Sequence, residues 1–305
     1  MRMATIHIAA KAAFLAALCI SPAQAATLNV DCDAGNTIAS VYATVKPGDT
    51  VLVSGTCREQ VSIPPEITRV TFDGQKKAII QHPGGQQASP HVFYNRGKEI
   101  TIKGFTVTGG QDGIHLSGPA SAVVDGNLVT KNSGRGIHID KGSIVRILNT
   151  TVEQSGGIGI DITGASYAYI GVYIPRVPAL GPNTIRNNGG PGINIERTAG
   201  AWIVGNTISG NKESGIAVHR NAQADVIANT INGNGGDAIT VSFNSGVNFD
   251  SEPRTDGPNK TTQNNAGAAI KCTIGGYVDG PMGTLAGAKG AKDFDRSCVD
   301  RVTAP

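Results

Sequence analysis

The chain has 305 residues, of which 41 are glycine, with 39% apolar, 16% charged and 5% aromatic residues. That composition is too polar and too Gly-rich for a membrane protein or a helical bundle, while low charge and recurrent Ile and Val exclude a disordered chain. The net charge of +3 falls to +1 once Arg2 and Lys11 are left out, which argues against nucleic acid as the main partner.

Residues 1–25 combine Arg2 and Lys11 with an apolar run from Ala12 to Ile20 and the small-residue pattern Ala23-Gln24-Ala25, the signature of a secretory signal peptide. The run is too short to span a bilayer and no later stretch is long enough to anchor the chain, so a secreted or periplasmic protein without membrane insertion is expected. Residues 26–305 are expected to form one domain: a cap and first strands over 26–65, coils over 66–250 and an irregular C-terminal cap over 251–305. Four cysteines remain in that part, an even count that favours bridges in an exported chain. An elongated protein keeps its ends apart, which selects Cys32 with Cys57 and Cys272 with Cys298. In the chain-entropy model, closing a loop of about 25 residues stabilises by roughly 3–4 kcal/mol.

A repeat dominates the middle of the chain. Gly113-Ile114-His115-Leu116, Gly136-Ile137-His138-Ile139, Gly159-Ile160-Asp161-Ile162, Gly192-Ile193-Asn194-Ile195, Gly215-Ile216-Ala217-Val218 and Asp237-Ala238-Ile239-Thr240-Val241 place their first isoleucines 23, 23, 33, 23 and 23 residues apart. Such a period marks a solenoid. Apolar and polar residues alternate within each unit, as in a strand with one buried face. Two further apolar columns, Val129, Val152, Ile185, Ile208, Ile231 and Val124, Ile147, Ile170, Ile203, Val226, predict three short strands per turn around a common interior. Asn127, Asn183, Asn206, Asn229 and Asn132, Asn188, Asn211, Asn234, with Ser155, form columns at the corners. Asparagine tolerates the left-handed backbone of a sharp corner, and its amide can bond the equivalent amide one turn away, so these are expected to be structural ladders.

This pattern resembles the right-handed parallel β-helix superfamily, the pectate-lyase-like fold, across almost all of the chain after residue 25. The resemblance implies an all-β parallel β-helix closed by a short N-terminal helix. Thr37 to Val45 fits that helix, with Ile38, Val41 and Val45 on one face before Pro47-Gly48. It also implies a polysaccharide partner, since the superfamily includes pectate lyases, polygalacturonase-type hydrolases, alginate lyases and mannuronan epimerases, beside non-enzymatic surface proteins.

In a parallel stack a residue repeating at 23 becomes one surface column with rungs about 4.8 Å apart, so five intervals make a face about 24 Å long. The outward column reads His115, His138, Asp161, Asn194, Ala217, Thr240; two positions later it reads Ser117, Asp140, Thr163, Glu196, His219, Ser242, with Lys141, Arg197 and Arg220 beside it. Imidazoles near carboxylates can move protons near neutral pH. The plain alternative is a solvated polar ladder that keeps a sheet soluble. A metal would use His115, His138 and Asp161 on successive rungs, where the third ligand must lean a full rung further, so no metal is assigned. The ten-residue insertion around Val172 to Gly181 carries Tyr173, Pro175, Arg176 and Pro178, and with Tyr167 and Tyr169 could wall the face; Trp202 is either core or contact.

Gln111-Asp112-Gly113-Ile114 resembles the polygalacturonase Asn-Thr-Asp-Gly strand, but Ser133-Gly134-Arg135 stands where an Asp pair is needed and Ser155-Gly156-Gly157 replaces Gly-His-Gly. Hydrolysis of a glycoside needs two carboxylates, so it is disfavoured. Calcium-dependent cleavage needs an acidic cluster, and the acids here are scattered; no cofactor is expected. Proton abstraction beside a carboxylate remains, as in lyases and C5-epimerases acting on uronates, with His115, His138, Arg135 and Asp161 as catalytic candidates. Asp112, Asp140, Asn194, Glu196, Arg197, His219 and Tyr173 are the substrate-binding candidates, and a monomer is expected. The other class of function is a non-catalytic periplasmic or cell-surface scaffold.

Overall fold

The three apolar columns meet in one interior. In the computed structural model, which describes residues 25–84, 90–172, 181–249 and 257–303, successive coils stack into parallel sheets of twelve, ten and eight strands among the described residues. Ile114, Ile137, Ile160, Ile193, Ile216 and Ile239 are Cα partners in that order, and all are fully buried. Each such side chain stabilises by about 1.5–3 kcal/mol relative to exposure, and its β-branch suits the pleated surface. The glycine before the marker isoleucine is there because the coils press together at that corner. A Cβ on Gly159 would lie 2.5 Å from the Gly192 carbonyl oxygen and 2.8 Å from Ile185.

The asparagine columns are ladders. Asn183 Nδ2 donates to Asn206 Oδ1 at 2.9 Å and Asn206 Nδ2 to Asn229 Oδ1 at 3.1 Å, while Asn188, Asn211 and Asn234 repeat the pattern at the other corner. Every amide of the two columns except that of Asn132 also donates to a backbone carbonyl, as Asn183 does to Ile147 at 2.8 Å. One expectation is corrected: the ladder asparagines are not the left-handed residues. That conformation falls on the residue before, at Gly126, Lys131, Asn187, Gly205, Gly210, Ala228 and Gly233, leaving the ladder amide pointing inward.

The ten extra residues do not disturb the stack. Gly181 N–H donates to the Gly171 carbonyl at 3.0 Å, so the excursion leaves and re-enters at one point. Beside it Val172, Val204 and Ile227 form a small second apolar cluster, against which Tyr169 and Trp202 pack half-buried. Tyr173, Pro175, Arg176 and Pro178, like residues 1–24 of the predicted signal peptide, lie outside the described residues.

The ends depart from expectation. The N-terminal helix is a single 3-10 turn, Ile38–Val41, because β-branched Thr37 offers no side-chain cap and Val41, Thr44 and Val45 favour extended backbone. Ile38 is nonetheless buried, and its N–H is taken by Glu59 Oε1 at 2.8 Å. At the other end, strands Ile270–Cys272, Tyr277–Pro281, Lys292–Phe294 and Val299–Thr303 continue two of the sheets, so the cap is more regular than its glycine content suggests. Only the eight-stranded sheet runs out, at Thr230–Asn232, and goes on as isolated bridges through Lys260 and Thr284. Cys32–Cys57 and Cys272–Cys298 are both bonded, one at each end. Among the described residues no helix is long and apolar enough to cross a membrane.

Candidate functional site

The outer column of the ten-stranded sheet runs Tyr94, His115, His138, Asp161, Asn194, Ala217, Thr240, Lys271 in continuous register. Strand His91–Asn95 adds a coil before the first repeat marker and brings in His91 and Tyr94, which the repeat did not reveal. The signal was present in the β-branched and aromatic run Val92-Phe93-Tyr94, with Phe93 in the marker position 21 residues before Ile114.

The N-terminal half of this face is acidic and closed. Asp112, fully buried, receives Arg135 through Nε and Nη2 at 2.9 and 3.0 Å. Burial acts to raise its pKa, but the contacts from His138, His91 and Arg135 outweigh it and hold the carboxyl far below the usual range. Arg135 Nη1 spans onward to His138 Nε2 at 3.0 Å and Asp161 Oδ2 at 3.2 Å. The tight turn behind it, where Ser133 and Gly134 N–H bond the previous coil at 2.7 and 2.8 Å, fixes where the guanidinium starts. His115 stacks on His138 with centroids 4.3 Å apart, and its Nδ1 is 3.1 Å from His91 Nε2. Its Nε2 faces Asp140 Oδ1 at 3.3 Å, out of line for a hydrogen bond. Burial lowers the His115 pKa, with Asp140 opposing and the neighbouring imidazoles adding to the fall; Asp140, which burial would raise, is held at about 2 by His115 and Ser117.

The C-terminal half is basic and open. Glu196 pairs with Arg220 Nη1 at 2.7 Å and with Arg197 Nη1, and these guanidiniums are 51% and 58% exposed. Two cations on one carboxylate leave a net positive patch. His219 lies beside it, 28% exposed, with Nε2 at 2.9 Å from Asn194 Oδ1. Asn194 gives its Nδ2 to Asp161 Oδ1 at 2.8 Å, so its oxygen must face His219 and accept from it, and the lone pair of neutral His219 resides on Nδ1. Burial lowers the His219 pKa, Glu196 opposing and Arg220 adding, so the ring is a neutral acceptor near pH 7.

Three expectations change. His115 and His138 are not solvated: they are 7% and 6% exposed, their outer nitrogens His115 Nε2 and His138 Nδ1 are shut from solvent, and the inner ones bond His91 and Arg135. Both rings are covered in this conformation, and the imidazole of these columns that reaches the surface is His219. Asp112 and Asn194 are likewise buried, bonded to Arg135 and His219. Tyr167, Tyr169 and Trp202 stand on the twelve-stranded sheet and not on this face. On this face two groups could gather a metal, His91 with Asp112 and His115, and His115 with His138 and Asp140, each with donor atoms within 4.8 Å of one another. The first shares its carboxylate with Arg135; the second takes Asp140 in place of Asp161.

Residues 90–251 and 169–276 match the family described as right-handed β-helix region. No curated protein matches the chain. Among solved structures, an alginate lyase from Paenibacillus sp. str. FPU-7 superimposes with a TM-score of 0.58 and 16% identity over 90% of this chain and 99% of its own. Pectate lyase Pel9A gives 0.56 and 13% over 92% and 78%, and a double mutant of the periplasmic alginate epimerase AlgG gives 0.55 and 12% over 91% and 72%. At these identities the likeness is one of fold.

Proposed function

The chain belongs to the right-handed β-helix family, and on that premise we propose that it binds an acidic polysaccharide along the outer face of the ten-stranded sheet and processes it by lyase or C5-epimerase chemistry. One observation carries this reading: a neutral, oriented imidazole, His219, stands at the surface beside two guanidiniums that share a single carboxylate. A uronate carboxylate set against Arg197 and Arg220 balances their excess charge and places the neighbouring C–H near His219. That C–H bond breaks, the proton passes to His219 Nδ1, and the electron pair moves into the carboxylate. The pair then returns to form a carbon–carbon double bond as the bond to the β-glycosidic oxygen breaks, that oxygen taking a proton from protonated His219 and leaving an unsaturated end; return of a proton from water on the opposite side gives the epimer. Asp161 and Asn194 hold the tautomer, while Arg135, His138 and His115 form the packed base behind them. The names of the structural neighbours, a pectate lyase, an alginate lyase and an alginate epimerase, support the same substrate class. The two disulfides and the composition of residues 1–25 support export.

The test is product formation from a panel of uronate polymers, read by absorbance of unsaturated ends and by NMR of inverted residues. His219→Ala is expected to lower turnover by about 10²-fold or more with an unchanged melting temperature. Unaltered turnover removes His219. Binding without any product, in a protein that folds normally, leaves a carbohydrate-binding scaffold.

A further inference from the structure

We propose that His115, His138 and Asp140 form a binding site for one divalent ion of the zinc class. This site lies three coils from His219, and its existence does not depend on the polysaccharide reading.

The positions of the protons make the case. His91 Nδ1 lies 3.1 Å from Asp112 Oδ2, out of line for a hydrogen bond, and His91 Nε2 lies 3.1 Å from His115 Nδ1, a contact that needs one proton between the two rings. Two neutral rings then have one proton left for two carboxylates, Asp112 beyond His91 and Asp140 Oδ1 3.3 Å from His115 Nε2, so one carboxylate faces a bare ring nitrogen. Two acceptors facing each other repel. Neither His115 Nε2 nor Asp140 Oδ1 has a hydrogen-bond partner, and both are shut from solvent, as is His138 Nδ1. Buried polar atoms without partners are costly, and these belong to three residues whose ligand atoms come within 4.8 Å of one another. A tetrahedral ion with bonds of about 2.0–2.1 Å places adjacent donors roughly 3.3 Å apart, the separation observed between His115 and Asp140.

Charge and outer contacts agree. Among the described residues Arg135 is the only Lys or Arg within salt-bridge distance of Asp112 and Asp161, and none lies that close to Asp140, so three carboxylates share one guanidinium charge. The Asp112–His91–His115 chain is the kind of support that orients a ligating imidazole. Two imidazoles and one carboxylate favour zinc, cobalt or nickel over calcium or magnesium, which prefer oxygen donors. Arg135 now donates to His138 Nε2, so neutral His138 carries its proton on Nδ1; on loading Arg135 keeps Asp112 and Asp161 and releases His138, whose proton passes to Nε2 as Nδ1 takes the ion.

The experiment uses the full chain without a histidine tag, stripped by chelator and titrated with zinc by calorimetry and with cobalt by visible absorption. One ion per chain, a tetrahedral cobalt spectrum and a raised melting temperature are expected. Asp140→Asn, which keeps size and partial exposure, is expected to weaken binding at least tenfold, and His115→Gln and His138→Gln likewise. Circular dichroism of each stripped variant establishes that it has folded. Absence of stoichiometric binding, or binding that survives Asp140→Asn and His115→Gln, overturns the site. Ion binding without turnover of any uronate polymer sinks the polysaccharide reading and leaves this one standing; turnover without ion binding does the reverse.

Discussion

The two halves of one outer face share backbone register, spacing and corner ladders, yet they differ in almost everything chemical. Around His115 and His138 the side chains are buried, interlocked and net negative; around Glu196 and His219 they are open and net positive. A position in the rung therefore does not decide burial. What decides it is whether the neighbouring column supplies groups large enough to fold back, as Arg135 does over Asp112, or ends in small residues such as Ala217 and Thr240, which leave the next rung uncovered.

The sharpest way to break that contrast is to remove one guanidinium from each half. Arg135→Ala strands Asp112 as a buried unpaired charge and is expected to cost about 3–5 kcal/mol in urea unfolding. Arg220→Ala opens an exposed pair and is expected to cost about 0–1 kcal/mol. Equal losses would mean that the closed half is no more integrated than the open one. The corner ladder serves both halves, so Asn211→Ala is expected to cost about 1–3 kcal/mol by leaving the Asn188 donors without their acceptor, and to leave ligand binding at either half intact once refolded. The smallest effect is a shift in the pH profile. His219 must be neutral to accept a proton and its pKa lies below the usual imidazole value, so turnover is lost only as pH falls below about 6.5. Arg220→Gln removes a positive neighbour, raises that pKa and moves the acid limb to higher pH; a limb that stays in place would detach His219 from the chemistry.

The architecture was legible because it rests on repetition. Ile, Gly and Asn recur at a spacing that only a stack of coils makes sense of, and the cysteines fell at its two ends. The face was legible as a column of residue types, but not as an arrangement. Periodicity says which side chains point outward; it does not say that Arg135 bends across its coil to Asp112, that His91 joins through a coil lacking the marker isoleucine, or that Asn194 sets the tautomer of His219. Those contacts depend on rotamers and on groups one or two rungs away, which no spacing rule encodes. The predicted helix over Thr37 to Val45 failed for a local reason, since an apolar face at helical spacing does not offset β-branched residues and a missing cap.

The pinched junction between Gly171 and Gly181 bears on how such a molecule can change over generations. Because departure and return are joined by one backbone bond, sequence can be added at that corner without altering the count that keeps asparagine above asparagine. Length is thereby separated from order: the stack keeps its count whatever is added between those two glycines.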